Sequence, residues 1–189
     1  MRVLIVYATT EGHTRDLARF LVRTLTDEGH EVVSEEAPND ERHPNLSSYD
    51  AVFVVGSLHV GRYQSKLIRF ARAHHQQLNS MPSAFVSVSL SAAGHNPDDW
   101  AGLDECLAAF AHETSWSPKA VHQAAGAIRY SRYDFFKRLL IKHIVAQRGE
   151  KTTTSRDYDM TDYDALAGFC RDFLARAAAS AKGAAAPGA

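Results

Sequence analysis

Six residues near the amino terminus, Thr9-Thr10-Glu11-Gly12-His13-Thr14, are the chain's first candidates for chemistry. They follow a short apolar run, Val3 to Tyr7, and precede a helical pattern that puts Leu17, Ala18, Phe20, Leu21 and Leu25 on one face. A small, hydroxyl-rich loop feeding a helix start offers unpaired backbone N–H groups, the positive end of a helix dipole and three Thr hydroxyls. That set suits an anion, most simply a phosphate. The loop holds no Lys or Arg, so the charge would be met by N–H groups and hydroxyls. It has neither the Gly-x-Gly-x-x-Gly of dinucleotide folds nor the Gly-Lys-Ser/Thr of P-loops, which sets NAD and ATP aside. Taken alone, the same residues also describe an ordinary tight turn with a Thr cap. Two more small-residue loops follow apolar runs: Ser57-Leu58-His59-Val60-Gly61-Arg62-Tyr63 and Ser91-Ala92-Ala93-Gly94. His59 offers either an acid–base group or a hydrogen-bond donor. The ten His residues are otherwise scattered, and His112-Glu113 lacks the second His of a zinc helix, so no metal is expected.

The elements that must carry these loops alternate. Apolar runs at Val3–Tyr7 and Asp50–Gly56 read as strands buried on both faces, His30–Glu35 as a short strand, Ser83–Leu90 as a fourth strand and Ala120–Ile128 as a weaker fifth. Between them lie helical patterns at Thr14–Glu28, stopped by Gly29, at Gln64–Leu78, and from Pro97 toward Pro118. A last helix, capped by Thr161-Asp162-Tyr163-Asp164, carries Leu166, Phe169, Cys170, Phe173, Leu174 and Ala177. Strands alternating with helices predict an α/β fold of flavodoxin-like type: a five-stranded parallel sheet, order 2-1-3-4-5, with helices on both faces. The loops after strands one, three and four then meet at the carboxyl edge of the sheet, at the switch in topology. At 189 residues the chain reads as one domain over 1–178, followed by a disordered Ala/Gly tail over 179–189.

Composition narrows the partners. A formal net charge of −1 argues against nucleic acid. The two Cys residues, Cys106 and Cys170, fall on apolar helical faces and read as reduced core thiols of a cytoplasmic protein. No apolar run is long enough to span a membrane, so membrane contact is expected to be peripheral. The near-zero total hides an asymmetry. From Ile128 to Lys151 there are seven Lys or Arg against two acids, a net +5, which leaves −6 for the rest. This stretch lies in an insert, about 129–158, longer than a compact domain needs at that point. At helical spacing Phe135, Phe136, Leu139, Leu140, His143 and Ile144 share one broad face and Lys137, Arg138, Lys142 and Arg148 the other, with Ile141 and Val145 intruding among them. The pattern fits an amphipathic helix lying on an anionic membrane, or a packed surface helix with solvated charges; periodicity does not separate the two.

Taken together, these runs resemble a known family. The Thr9–Thr14 loop resembles the phosphate loop of flavodoxins. The whole chain, about Arg2 to Leu174, is similar to the flavodoxin-like, quinone-dependent protoporphyrinogen oxidases of bacterial haem synthesis. The resemblance is carried by that loop with Arg15, by Tyr63-Gln64-Ser65, by Leu78-Asn79-Ser80-Met81-Pro82-Ser83-Ala84-Phe85-Val86-Ser87-Val88, by Ser115-Trp116-Ser117-Pro118, by Ala125-Gly126-Ala127-Ile128-Arg129-Tyr130-Ser131-Arg132-Tyr133 and by Thr161-Asp162. It implies FMN as cofactor and oxidation of protoporphyrinogen IX to protoporphyrin IX. The implied acceptor is a membrane quinone (menaquinone or ubiquinone), the implied place the inner face of the cell membrane, and a homo-oligomer is admissible. Residue by residue, it implies that Thr9, Thr10, Glu11, Gly12, His13 and Thr14 hold the flavin phosphate. Ser57, Leu58, His59, Val60, Gly61, Ser89, Leu90, Ser91 and Ala92 would then flank the ring. Arg129, Tyr130, Arg132 and Tyr133 stand beside the same crevice, where they either meet substrate or anchor the insert. One stretch departs from the family pattern: Ser91 to Trp100 carries no basic side chain where basic residues are expected. An electron-carrying flavodoxin and an NAD(P)H:quinone reductase use the same fold and remain alternatives. No side chain stands out as a catalytic acid or base.

Overall fold

A computed structural model describes residues 1–39, 44–128 and 158–184. Five strands, β1 (Arg2–Ala8), β2 (Glu31–Glu36), β3 (Ala51–Ser57), β4 (Ser83–Ser89) and β5 (Ala120–Ala125), form one parallel sheet in the order β2-β1-β3-β4-β5. The run Val3–Val6 is wholly buried because alternate residues face opposite layers. Val3 and Ile5 pack with Leu17, Leu21 and Leu25 of α1 (His13–Asp27). Leu4 and Val6 pack with Leu67 and Phe70 of α2 (Ser65–Ala73) and Leu78 of α3 (His75–Ser80). Phe110 of α4 (Pro97–Thr114) joins the second layer, and Phe173 of α5 (Tyr163–Ala184) the first. Gly56 is the point of closest approach: a Cβ there would run into the Leu67 side chain, so α2 lies against β3 only because position 56 has none.

Four local expectations change. The helix expected over Gln64–Leu78 is two helices, since His74 ends α2 with ψ near 11° and restarts the chain as α3. Leu78 faces in and His75 is half-exposed. The fifth strand stops at Ala125, where the Gly126 N–H turns to the Ser89 carbonyl (2.8 Å). Beyond it β6 (Ala127–Ile128) pairs antiparallel with β7 (Tyr158–Asp159), outside the main sheet. The last helix continues to Ala184 instead of fraying at Ala178, as alanine's helix propensity allows. Cys170 is buried, its thiol pushed up to about 12 by burial, whereas Cys106 is only partly covered.

His122 of β5 stacks on Phe169 of α5, centroids 5.1 Å apart. Burial pushes its imidazole below the ordinary 6.5, against a smaller opposite pull from Asp162. As pH falls through 6.5 the unfolded chain takes up this proton and the folded chain resists it, so stability drops on acidification. Unfolding midpoints measured from about pH 7.5 to 5.5 are expected to fall less steeply in His122→Gln than in the parent.

Candidate functional site

β1 ends at Ala8, and Thr9 to Gly12 carry the chain over the carboxyl edge of the sheet into α1. Gly12 sits in the left-handed region (φ 94°), and no side chain caps α1. Its N–H donates to Thr9 Oγ1 at 2.8 Å, which folds the loop on itself. Thr14 is 1% exposed. The donor set is neutral, made of helix-start N–H groups and hydroxyls around a left-handed glycine, and it fits a phosphate.

His13 has a different job for its ring. Thr161 Oγ1 donates its one proton to the Ala125 carbonyl (2.8 Å), so the 3.0 Å contact with His13 Nε2 must be donated by the imidazole. Asp159 Oδ1 lies 3.8 Å from the same nitrogen. Burial alone would raise the Asp159 carboxyl, but hydrogen bonds from Tyr163 and Thr161 and the nearby His13 hold it below the usual carboxylate range. The side chain of His13 thus ties the phosphate-type loop to the end of β5 and the start of α5. Residues distant in sequence meet here, and no spacing rule announces Asp159 as a partner.

The second loop is a two-residue turn closed by His59 N–H to Arg62 O (2.8 Å) and Arg62 N–H to His59 O (3.0 Å). Both central residues have positive φ, 49° at Val60 and 74° at Gly61. A β-branched residue in that region is strained, and Val60 is 96% exposed, so packing returns nothing for it. Val60→Asn, which supplies the side chain such turns prefer, is expected to stabilise the protein by about 1 kcal/mol, read as a rise in Tm. Leu58 N–H reaches the Val88 carbonyl (2.8 Å), which sets this turn beside the third loop. In that loop Ser89 is buried and its Oγ accepts from Ala92 N–H (3.2 Å), while Leu90 is 37% exposed and Ser91–Ala93 form one 3-10 turn.

Gln64 joins the loops, and the sequence reading gave it no part in the site. Its amide nitrogen donates to Thr10 Oγ1 (3.2 Å) and to Ser57 Oγ, and Ser57 Oγ in turn meets His59 Nε2 at 3.2 Å. Its Oε1 is buried without a hydrogen-bond partner among the described residues. An unmet acceptor between two ligand loops is the atom that a bound hydroxyl or N–H would satisfy. The one available signal was its place in Tyr63-Gln64-Ser65. Tyr63 itself is no ring-stacking residue: it is 6% exposed, its hydroxyl meets Ser87 Oγ at 2.9 Å, and burial pushes its pKa up to about 12. Trp116 lies in the core and Trp100, 38% exposed, donates to the Gly94 carbonyl at 2.9 Å. Among the described residues no cluster of His, Cys, Asp or Glu is arranged to hold a metal. Arg129, Tyr130, Arg132, Tyr133, Phe135, Phe136, Leu139, Leu140 and Ile144 lie outside the described residues.

The flavodoxin domain model matches residues 4–155. Protoporphyrinogen IX dehydrogenase (quinone) of Escherichia coli K12 is 34% identical over 175 residues, covering 91% of this chain and 94% of that protein. The chain belongs to the protoporphyrinogen IX dehydrogenase family. A family member of the same name from Leishmania major is 33% identical over 174 residues, covering 92% of this chain and 75% of that protein. Oxidised flavodoxin 1 of Bacillus cereus superposes with a TM-score of 0.49 at 13% identity, covering 78% of this chain and 99% of that one. As a member of the protoporphyrinogen IX dehydrogenase family, built on a flavodoxin domain, the protein is an oxidoreductase of flavin type. Several runs that mark the family are structural here. Asn79 accepts from Ser117 N–H and donates to the Ser115 carbonyl (both 2.9 Å), which clamps Asn79-Ser80-Met81-Pro82 against Ser115-Trp116-Ser117.

Proposed function

We propose that the protein binds FMN at the carboxyl edge of its sheet and oxidises protoporphyrinogen IX to protoporphyrin IX, passing the electrons to a membrane quinone as a step of haem synthesis. The observation that carries this reading is identity of about one third, sustained over 91% of the chain, to relatives named for that substrate and acceptor. Bound FMN supplies two-electron redox chemistry, matched to a porphyrinogen oxidation taken in two-electron steps. The protein supplies placement. Thr9 to Thr14 hold the phosphate through N–H groups and hydroxyls. Ser57 to Gly61 and Ser89 to Ala92 border the ring, and Gln64 fixes the first of these loops to the phosphate loop. No aromatic side chain occupies either ring-side loop, which leaves room for a flat macrocycle. Arg129, Tyr130, Arg132 and Tyr133 stand next to the crevice in sequence, as guides for substrate or anchors for the insert.

The test is anaerobic addition of protoporphyrinogen to FMN-loaded protein. Bleaching of the flavin's visible absorption, reversed by a quinone, is the expected result. Absence of bleaching overturns the reading.

The place of action in this proposal is the cytoplasmic face of the membrane. No helix among the described residues is long and apolar enough to cross a bilayer. The basic, amphipathic sequence pattern of Asp134 to Arg148 favours a peripheral contact made by Phe135, Phe136, Leu139, Leu140 and Ile144. Deleting Asp134 to Arg148 is expected to abolish binding to anionic liposomes in a flotation assay, and unchanged flotation counts against membrane contact.

A further inference from the structure

A cleft of about 350 Å³ opens between α2 and the end of α4, lined by Arg62, Tyr63, Ile68, Arg69, Arg72 and Glu113 among others. Three guanidinium groups line it, and two of them meet one carboxylate. Arg72 donates to Glu113 Oε1 and, through Nε, to the Glu113 carbonyl, both at 3.1 Å. Arg62 Nη2 stands 3.8 Å from Glu113 Oε2. Arg69 has no ion pair or hydrogen bond among the described residues and lies exposed on α2. The cleft therefore carries an excess of two positive charges over an apolar side provided by Ile68 and Tyr63, and its geometry already engages a carboxylate from two sides. Its upper edge belongs to the ring-side turn, because Arg62 is the residue that closes His59–Arg62. The third loop offers no such charge: Ser91 to Trp100 contains Asp98 and Asp99 and no Lys or Arg.

We propose that this cleft is a carboxylate-recognition site that receives one peripheral carboxylate of the porphyrinogen substrate. The inference rests on the activity proposed above. Arg69, with no ion-pair or hydrogen-bond partner among the described residues, is the group with most to gain from a bound anion.

The test compares the FMN-loaded parent protein with Arg69→Gln. Protoporphyrin IX, with two ionised propionates, and its dimethyl ester serve as binding probes, and protoporphyrinogen turnover is measured in the same preparations. Arg69→Gln is expected to weaken binding of the free acid about two- to five-fold, as one exposed charge pair does, and to leave the ester's affinity at the parent value. The same factor is expected in KM rather than kcat, and the KM of the parent should rise with salt more steeply than that of the variant. If the parent turns substrate over but Arg69→Gln changes acid and ester alike, or neither, the cleft is not the carboxylate site and the proposed activity stands. If the parent does not turn substrate over, the proposed activity fails and takes the cleft assignment with it.

Discussion

Trp116→Ala is expected to destabilise the protein by about 3–5 kcal/mol, the range for emptying a large aromatic site in a core. Trp116 is fully buried, edge-on to Phe85 (5.8 Å between centroids) and Phe110 (6.1 Å). Those two rings stack on each other at 4.8 Å, and Tyr63 stands edge-on to both, so the cavity would open in the middle of an aromatic cluster. The indole N–H also donates to Ser83 Oγ (3.0 Å), whose own proton goes to the Leu78 carbonyl (2.6 Å). Trp116→Phe separates the two contributions. It keeps most of the volume, drops only the hydrogen bond and a ring, and is expected to cost less than half as much. Urea unfolding of both variants reads the difference in midpoint at constant m. A loss under about 2 kcal/mol for the alanine variant would mean that the cluster collapses into the space.

Gly12→Val is expected to weaken FMN binding at least tenfold. Valine at φ 94° is strained by about 1–3 kcal/mol, and the loop relieves that strain by giving up the conformation on which the proposed phosphate site depends. The measurement is a fluorescence titration of apoprotein with FMN, because free flavin fluoresces and bound flavin is quenched. Far-UV circular dichroism of each variant confirms that the sheet is kept. Thr14→Val is the gentler companion. It preserves shape and removes one buried hydroxyl, so its effect reads the single hydrogen bond that the proposed phosphate site takes from Thr14, worth about 1.5–3 kcal/mol when the acceptor is charged. Equal affinity in the parent and both variants would place the phosphate elsewhere.

The sheet was legible because a parallel sheet covered on both faces writes its central strands as uninterrupted apolar runs: Val3–Val6, Ala51–Val55 and Ala84–Val86 needed no further clue. The three loops followed from topology once the strands were placed. The break at His74 was not legible, since Leu67, Phe70, Ala71 and Leu78 stay in helical phase across it and periodicity does not register one non-helical residue. Gln64 and the His13–Thr161–Asp159 set escaped for another reason. Their meaning lies in contacts between loops far apart in sequence, 54 residues from Thr10 to Gln64 and 148 from His13 to Thr161, and hydrogen bonds of that span leave no periodic trace. Cys106 shows the opposite error, where an apolar helical neighbourhood suggested more burial than the α4 surface provides.

Pairing of Ala127 with Asp159 and of Ile128 with Tyr158 brings the chain back to the place where it left. Whatever runs between those two short strands starts and finishes at one gatepost, so its length is independent of the positions of β5 and α5. Closing a longer loop at a fixed neck is cheap, about 0.6 kcal/mol for each doubling. The stretch from 129 to 157 can therefore grow, shrink or be exchanged between relatives at little expense to the sheet. A lineage is free to vary this stretch while inheriting the sheet and its carboxyl-edge loops unaltered.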